Sequence, residues 1–304
     1  MSLDLLKASW YEASARQRLQ GLLDPGGFTE FLGPETRELS PHLPLFDLPR
    51  QFDDGMVAGA GRIGGQPVLV AAQEGRFMGG AFGEVHGAKL TGLLHAAREM
   101  GAAGRVLILF DTGGVRLQEA NAGELAIAEI MRALLEARAA GARVVGLIGG
   151  RNGCYGGGGL IAGCCSRLVV SEQGRISVSG PEVIETNRGV EEFDSRDRPL
   201  IWRTMGGKHR RLLGGADAYC ADTMEAFREA ALRALGMAAG FGLAAMRAEQ
   251  ARLEARLQRF GNSTDAREIW HALGAEAPDS VPDLDDRAFA ELATRIAESA
   301  DDAR

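Results

Sequence analysis

Two glycine-rich loops hold the residues whose types and spacing suit chemistry. The first is residues 111–119, DTGGVRLQE, and the second is residues 149–159, GGRNGCYGGGG. Each follows an apolar run of strand length and precedes a helical pattern. Glycine at a strand-to-helix turn lets the backbone approach a ligand closely, and the first turn of a helix leaves N–H groups without acceptors. Two such groups aimed at one oxygen form an oxyanion hole, where loss of a single donor costs about 3–4 kcal/mol of transition-state stabilisation. The same glycines would also serve tight helix–strand packing, which is common in α/β folds. Residue types alone leave both readings open.

Other reactive motifs are missing from the sequence. It contains neither a GxSxG nucleophile elbow nor a GxxxxGK[ST] phosphate loop. None of the five histidines stands at metal-ligand spacing from another, and Cys154, Cys164, Cys165 and Cys220 form no CxxC pair, so no metal site is expected. Cys164 and Cys165 fall on an apolar helical stretch and read as small core residues. The string GAGRIG at 59–64 matches a dinucleotide fingerprint, but PVLVAA follows it, a β run that offers a pyrophosphate no helix N-terminus. A hairpin turn is expected there instead. The basic run Arg198, Arg203, Lys208, His209, Arg210 and Arg211 would meet the phosphates of a CoA-like group or an acidic carrier protein, or else lie as a solvated face.

The elements that must position these loops follow from periodicity. Residues 13–23 read as a short helix closed by Asp24-Pro25-Gly26-Gly27, and residues 56–74 as two strands joined around Gly64-Gly65. Leu90, Leu93, Leu94 and Ala97 mark one helix ending at Gly101; Ile127, Ile130, Met131, Leu134 and Leu135 mark another that Gly141 stops. Residues 105–110 (RVLILF) and 143–148 (RVVGLI) are wholly apolar, as strands buried on both faces are. A small-residue helix is expected at 159–165, with strands at 167–171 and 174–178. Short strands separated by helices imply crossover connections and an α/β core. Residues 223–260, with Arg247, Glu249, Arg252, Glu254 and Arg256 on one charged face, are expected to be helical and to serve packing or oligomerisation. Ser263 to Asp265 offer an N-cap for a further helix, and a last one is expected over 286–299.

Composition bounds the class. Glycine accounts for 42 of 304 residues, about twice the ordinary ~7%, in a chain with 45% hydrophobic and 25% charged residues. A net charge of −7 argues against a general nucleic-acid binder. No apolar run reaches the ~18–20 residues of a membrane span, and the N-terminus lacks the pattern of a signal peptide. A soluble cytoplasmic protein without nucleic-acid or membrane partners is the expected class.

The two loops together with SRLVVSEQGRISVSGPEVIE resemble the carboxyltransferase family of the crotonase-like superfamily, which includes acetyl-CoA carboxylase subunits and acyl-CoA decarboxylases. FMGGAFGEVHGAKL at 77–90 and SARQRLQGLLDPGGFTEF near the N-terminus fit the same family, so the resemblance runs from about Ser14 to Asn187. WRTMGGKHRRLLGGADAY at 202–219 and the N-terminal segment are most similar to the β subunits of malonate decarboxylases. Bacterial acetyl-CoA carboxylase β subunits carry an N-terminal four-cysteine zinc ribbon, whereas this chain has no cysteine before Cys154.

The resemblance implies a crotonase-like ββα spiral with a helical C-terminal region. It is taken as one carboxyltransferase-type domain over 1–304, with a core at about 50–222 and an extension at 223–304. Carried over by motif, Gly156 and Gly157 would form the oxyanion hole, with Gly113 and Gly114 as lining or a supplementary donor. Gly79 and Gly80 would lie along a pantetheine arm, and Tyr155 is the nearest titratable candidate for a proton donor, with a bound water as the alternative. Arg116, Lys208 and Arg210 are candidate substrate contacts, although Arg116 and Glu119 would also pair locally.

The implied reaction is biotin-independent decarboxylation of a malonyl thioester. The substrate would be carried on the phosphoribosyl-dephospho-CoA-type group of an acyl-carrier subunit, so this chain itself would bind no cofactor. Implied partners are a γ subunit of the same fold, the acyl carrier and an α acyl-transferase subunit. Carboxyl transfer to biotin and a non-catalytic scaffold role are the alternatives.

Overall fold

The computed structural model describes residues 6–47, 52, 55–238 and 240–302. In chain order the strands are β1 (Thr29–Phe31), β2 (Met56–Ile63), β3 (Gln66–Gln73), β4 (Arg105–Phe110), β5 (Arg143–Ile148), β6 (Arg167–Val170) and β7 (Ala218–Tyr219). The α-helices are α1 (Ala15–Leu22), α2 (Glu84–Met100), α3 (Ala122–Ala139), α4 (Gly157–Cys164), α5 (Pro181–Arg188), α6 (Arg198–Met205), α7 (Gly207–Leu212), α8 (Met224–Gly236), α9 (Leu243–Phe260), α10 (Ala266–Ala272) and α11 (Asp286–Asp302).

Among the described residues, the seven strands form one sheet in sequential order, antiparallel from β1 to β3 and parallel from β3 to β7. The β2–β3 hairpin turns at Gly64 and Gly65, both with positive φ, as a two-residue hairpin with right-handed twist requires. GAGRIG therefore runs along the end of β2 into the turn at Gly64.

The continuous apolar runs of β4 and β5 are explained by burial on both faces. Val106, Ile108 and Phe110 point toward α2, α3 and α4, whereas Leu107 and Leu109 point toward α1 and α8. The α1 helix is fixed by a capping box between Ser14 and Gln17, and α8 by Thr223, whose hydroxyl accepts from Ala226 N–H. Trp10 stacks on Phe227 of α8 at 4.1 Å, tying the N-terminal segment to that layer. A third cluster, including Leu212, Trp270, Phe289 and Leu292, joins α10 and α11 to α7.

Two expectations change. The expected strand at 174–178 is only a single bridge between Cys154 and Ile176. The expected helix over 223–260 is broken after Gly236, where the Gly-rich GMAAGFG separates α8 from α9.

Candidate active site

Parallel strand order brings the C-terminal ends of β4 and β5 side by side, so the two glycine loops emerge as neighbours. Isolated bridges bind them: Thr112 N–H donates to Gly153 O at 2.9 Å, and Tyr155 N–H to Thr112 O at 3.0 Å. Below them lies Asp111, nearly fully buried. Its carboxylate accepts from Arg18 Nη1 of α1 at 2.8 Å and from Asn152 N–H of the second loop at 2.7 Å. Its own N–H donates to Gln73 Oε1 at 3.1 Å, and Gln73 Nε2 donates to Gly80 O at 3.2 Å. One buried polar cluster thus sets three backbone segments in register.

The second loop turns sharply into α4. Gly156 caps the helix at φ 58° and ψ −133°, a region closed to L side chains. A Cβ on Gly157 would sit 1.7 Å from Ile127 Cδ1 of α3, so only glycine allows this approach. Gly158 N–H donates to Tyr155 O, but among the described residues the N–H groups of Gly156 and Gly157 meet no acceptor. Gly156 is half-exposed and Gly157 buried, and these two unspent donors lie at the start of a helix, where N–H groups favour an anion.

The first loop behaves differently. Gly113 N–H is spent on Gly79 O at 2.9 Å and Gly114 N–H on Thr112 Oγ1 at 3.1 Å, so neither is a supplementary donor. That expectation is corrected to lining and support. Gly113 and Gly79 line the cleft, and Gly114 props Gly156, where a Cβ would meet Gly114 Cα at 3.0 Å. Gly80 lies behind this wall, its approach to Asp111 O too close for any Cβ.

The cleft beside these loops has a volume of about 600 Å³. Tyr155, Gly79 and Gly113 contribute to its wall, and Arg151, Arg175, Arg196 and Arg198 give it a basic rim. Tyr155 is buried against Ile201 and Met205, and its hydroxyl has no hydrogen-bond partner among the described residues. Burial raises its pKa, while the nearby guanidinium of Arg175 pulls it the other way. A second, mostly apolar groove of about 650 Å³ runs between α2 and α3 and contains neither Gly113 nor Tyr155.

Two expected substrate contacts are turned inward. The Arg116 guanidinium, fully buried, donates to Glu119 Oε1 at 3.0 Å and Ala81 O at 2.9 Å. Lys208 donates to Pro282 O and Leu284 O at 2.8 and 2.7 Å and pairs with Glu172 at 3.1 Å, pinning the C-terminal cluster. Neither side chain lines the cleft. Arg210 stands behind the cleft wall, near enough to lower the pKa of Tyr155. From the basic run only Arg198 lines the cleft. Arg151, Arg175 and Arg196 escape a sequence reading because they are scattered singly and only the fold gathers them.

Comparison with known proteins agrees with this architecture. The carboxyl transferase domain model matches residues 12–228. The malonyl-S-ACP:biotin-protein carboxyltransferase of Malonomonas rubra is 45% identical over 241 residues, which cover 74% of this chain and 75% of that protein. A chain of the Pseudomonas malonate decarboxylase hetero-tetramer in complex with malonate superposes with a TM-score of 0.78 at 42% identity, covering 86% of this chain and 96% of that one. A chain of the Pseudomonas malonate decarboxylase hetero-dimer gives 0.67 at 38% identity, with coverages of 86% and 100%. The fold is crotonase-like, and this chain belongs to the carboxyl transferase domain family.

Proposed function

We propose that this chain is the β-type subunit of a cytoplasmic malonate decarboxylase. In this reading it releases CO2 from a malonyl thioester held on an acyl-carrier subunit, together with a γ subunit of the same fold. The observation that carries the proposal is the pair of unspent N–H groups at Gly156 and Gly157, beside an arginine-rimmed cleft. Cleavage of the carboxylate leaves an electron pair on the α carbon, which is stable only if it delocalises onto the thioester oxygen. Donors fixed in advance stabilise that enolate more than the ground-state carbonyl and so lower the barrier. Tyr155, which burial keeps protonated at neutral pH, then donates a proton to the carbon. The arginines of the rim favour an anionic substrate arm, and Gly79 leaves room for pantetheine.

The prosthetic group of phosphoribosyl-dephospho-CoA type would belong to the carrier, and an α subunit would exchange acetyl for malonyl. The chain acts as one carboxyltransferase-type domain, and because α1 and α8 cover one face of the sheet its core reaches beyond the expected 50–222 at both ends.

One observation favours a second reading. The Malonomonas rubra relative is a carboxyltransferase to a biotin protein. The same enolate would then form, but the carboxyl group would pass to biotin. The test is CO2 release from a malonyl thioester by this chain co-purified with its partner subunit, without biotin. Release supports decarboxylation; release only after a biotin-carrier protein is added supports transfer.

A further inference from the structure

The α9 helix has 18 residues and none of them is buried. Its contacts with the body come from one side, where Arg252 donates to Gly214 O at 3.1 Å and Arg256 to Leu213 O at 3.0 Å. About a quarter-turn away runs a stripe of Leu243, Met246, Gln250, Leu253, Leu257 and Phe260. The spacing alternates 3, 4, 3, 4, 3, which is the a/d seam of a heptad and not the wider face of a helix packed on a globular core. Leu243, Met246 and Leu257 are 63%, 52% and 71% exposed, although they are the residues such a seam would bury.

The flanking charges select the occupant. Arg247 and Glu254 take the e positions, and Glu249 and Arg256 the g positions. In a parallel pair of these helices, Glu249 would face Glu254 of the other copy. In an antiparallel pair, Leu243 stacks on Phe260, Met246 on Leu257 and Gln250 on Leu253. The same register sets Arg247 against Glu254 and Glu249 against Arg256, each twice by symmetry. Glu249 and Arg256 also have partners within the chain, Arg252 and Leu213 O. Arg247 donates to no group among the described residues, and Glu254 accepts only from Gln250 of its own helix. We propose that α9 is a self-association surface, through which two copies of this chain pair by their α9 helices in antiparallel register.

A seam about 27 Å long is short for a coiled coil, so dissociation in the micromolar range is expected. The test is sedimentation of the full chain over a concentration series. Glu254→Arg should weaken association about tenfold by placing arginine against Arg247 at both ends, and Arg247→Glu combined with Glu254→Arg should restore it. A mixture of Gln250→Cys and Leu253→Cys chains should crosslink across the seam more readily than either alone. A chain monomeric at hundreds of micromolar, or one whose association ignores the charge swap, overturns the proposal. So does Leu257→Glu if it leaves self-association intact and blocks binding of a different subunit.

Discussion

Tyr155 shows how position rather than residue type makes a candidate acid. Its phenol sits among Ile201 and Met205 without a hydrogen-bond partner among the described residues, and burial raises its pKa. Removing an unpartnered buried hydroxyl does not strand a polar group, so Tyr155→Phe should leave the melting temperature unchanged or slightly higher. Activity should still fall, by about 100-fold in kcat with KM little altered, if the phenol protonates the enolate. Equal kcat in the two proteins would assign the proton to water. The glycine run after a buried strand made the second loop legible in the sequence, whereas Gly156 and Gly157 within it were singled out only by the family resemblance. It did not reveal that Gly113 and Gly114 have already spent their N–H groups, since hydrogen-bond partners across loops leave no local pattern.

Among the elements, α1 and the two loops depend on one buried carboxylate. Asp111 binds Arg18 and the Asn152 N–H, linking residues 93 and 41 positions apart. Asp111→Asn leaves the Arg18 guanidinium buried without its counter-charge, and a loss of about 3–5 kcal/mol is expected in denaturant titration. Adding Arg18→Met should recover part of it, because the orphaned charge is gone. Additive losses would contradict the coupling. Strands β4 and β5 were legible to the residue, since burial on both faces makes an apolar run bounded by polar residues. Helices α5 to α7 were not. They are short and lack sustained apolar periodicity, and their local signals are Pro181 at the first turn and the Asp197 cap, which accepts from Leu200 N–H at 3.0 Å. The bridge at Ile176 shows the opposite error, a β-like composition that finds a single bridge and no ladder.

For the whole molecule, attachment of the C-terminal cluster to the core should govern its response to acid. His209, 5% exposed, accepts from Trp270 Nε1 at 3.2 Å through Nδ1, which fixes the neutral tautomer. Burial, reinforced by the positive charges of Arg210 and Arg256, pushes its pKa down to about 3. An unfolded histidine takes up its proton near 6.5, so the unfolded state binds more protons between those values. This contribution is therefore complete above about pH 6.5 and is lost as pH falls toward 3, by up to about 1.4 kcal/mol per unit. The wild type should lose more stability than His209→Gln between pH 7 and pH 5; parallel curves would contradict this. A proline at position 157 removes one proposed donor and is tolerated at the first position of a helix, provided Ile127→Ala makes room for the ring. The measurement is the kcat for biotin-free CO2 release from a malonyl thioester by the assembled complex, comparing Gly157→Pro with Ile127→Ala against Ile127→Ala alone. A fall of about 100- to 1000-fold with the assembly intact is predicted. Equal rates would mean that the Gly157 N–H does not hold the oxyanion.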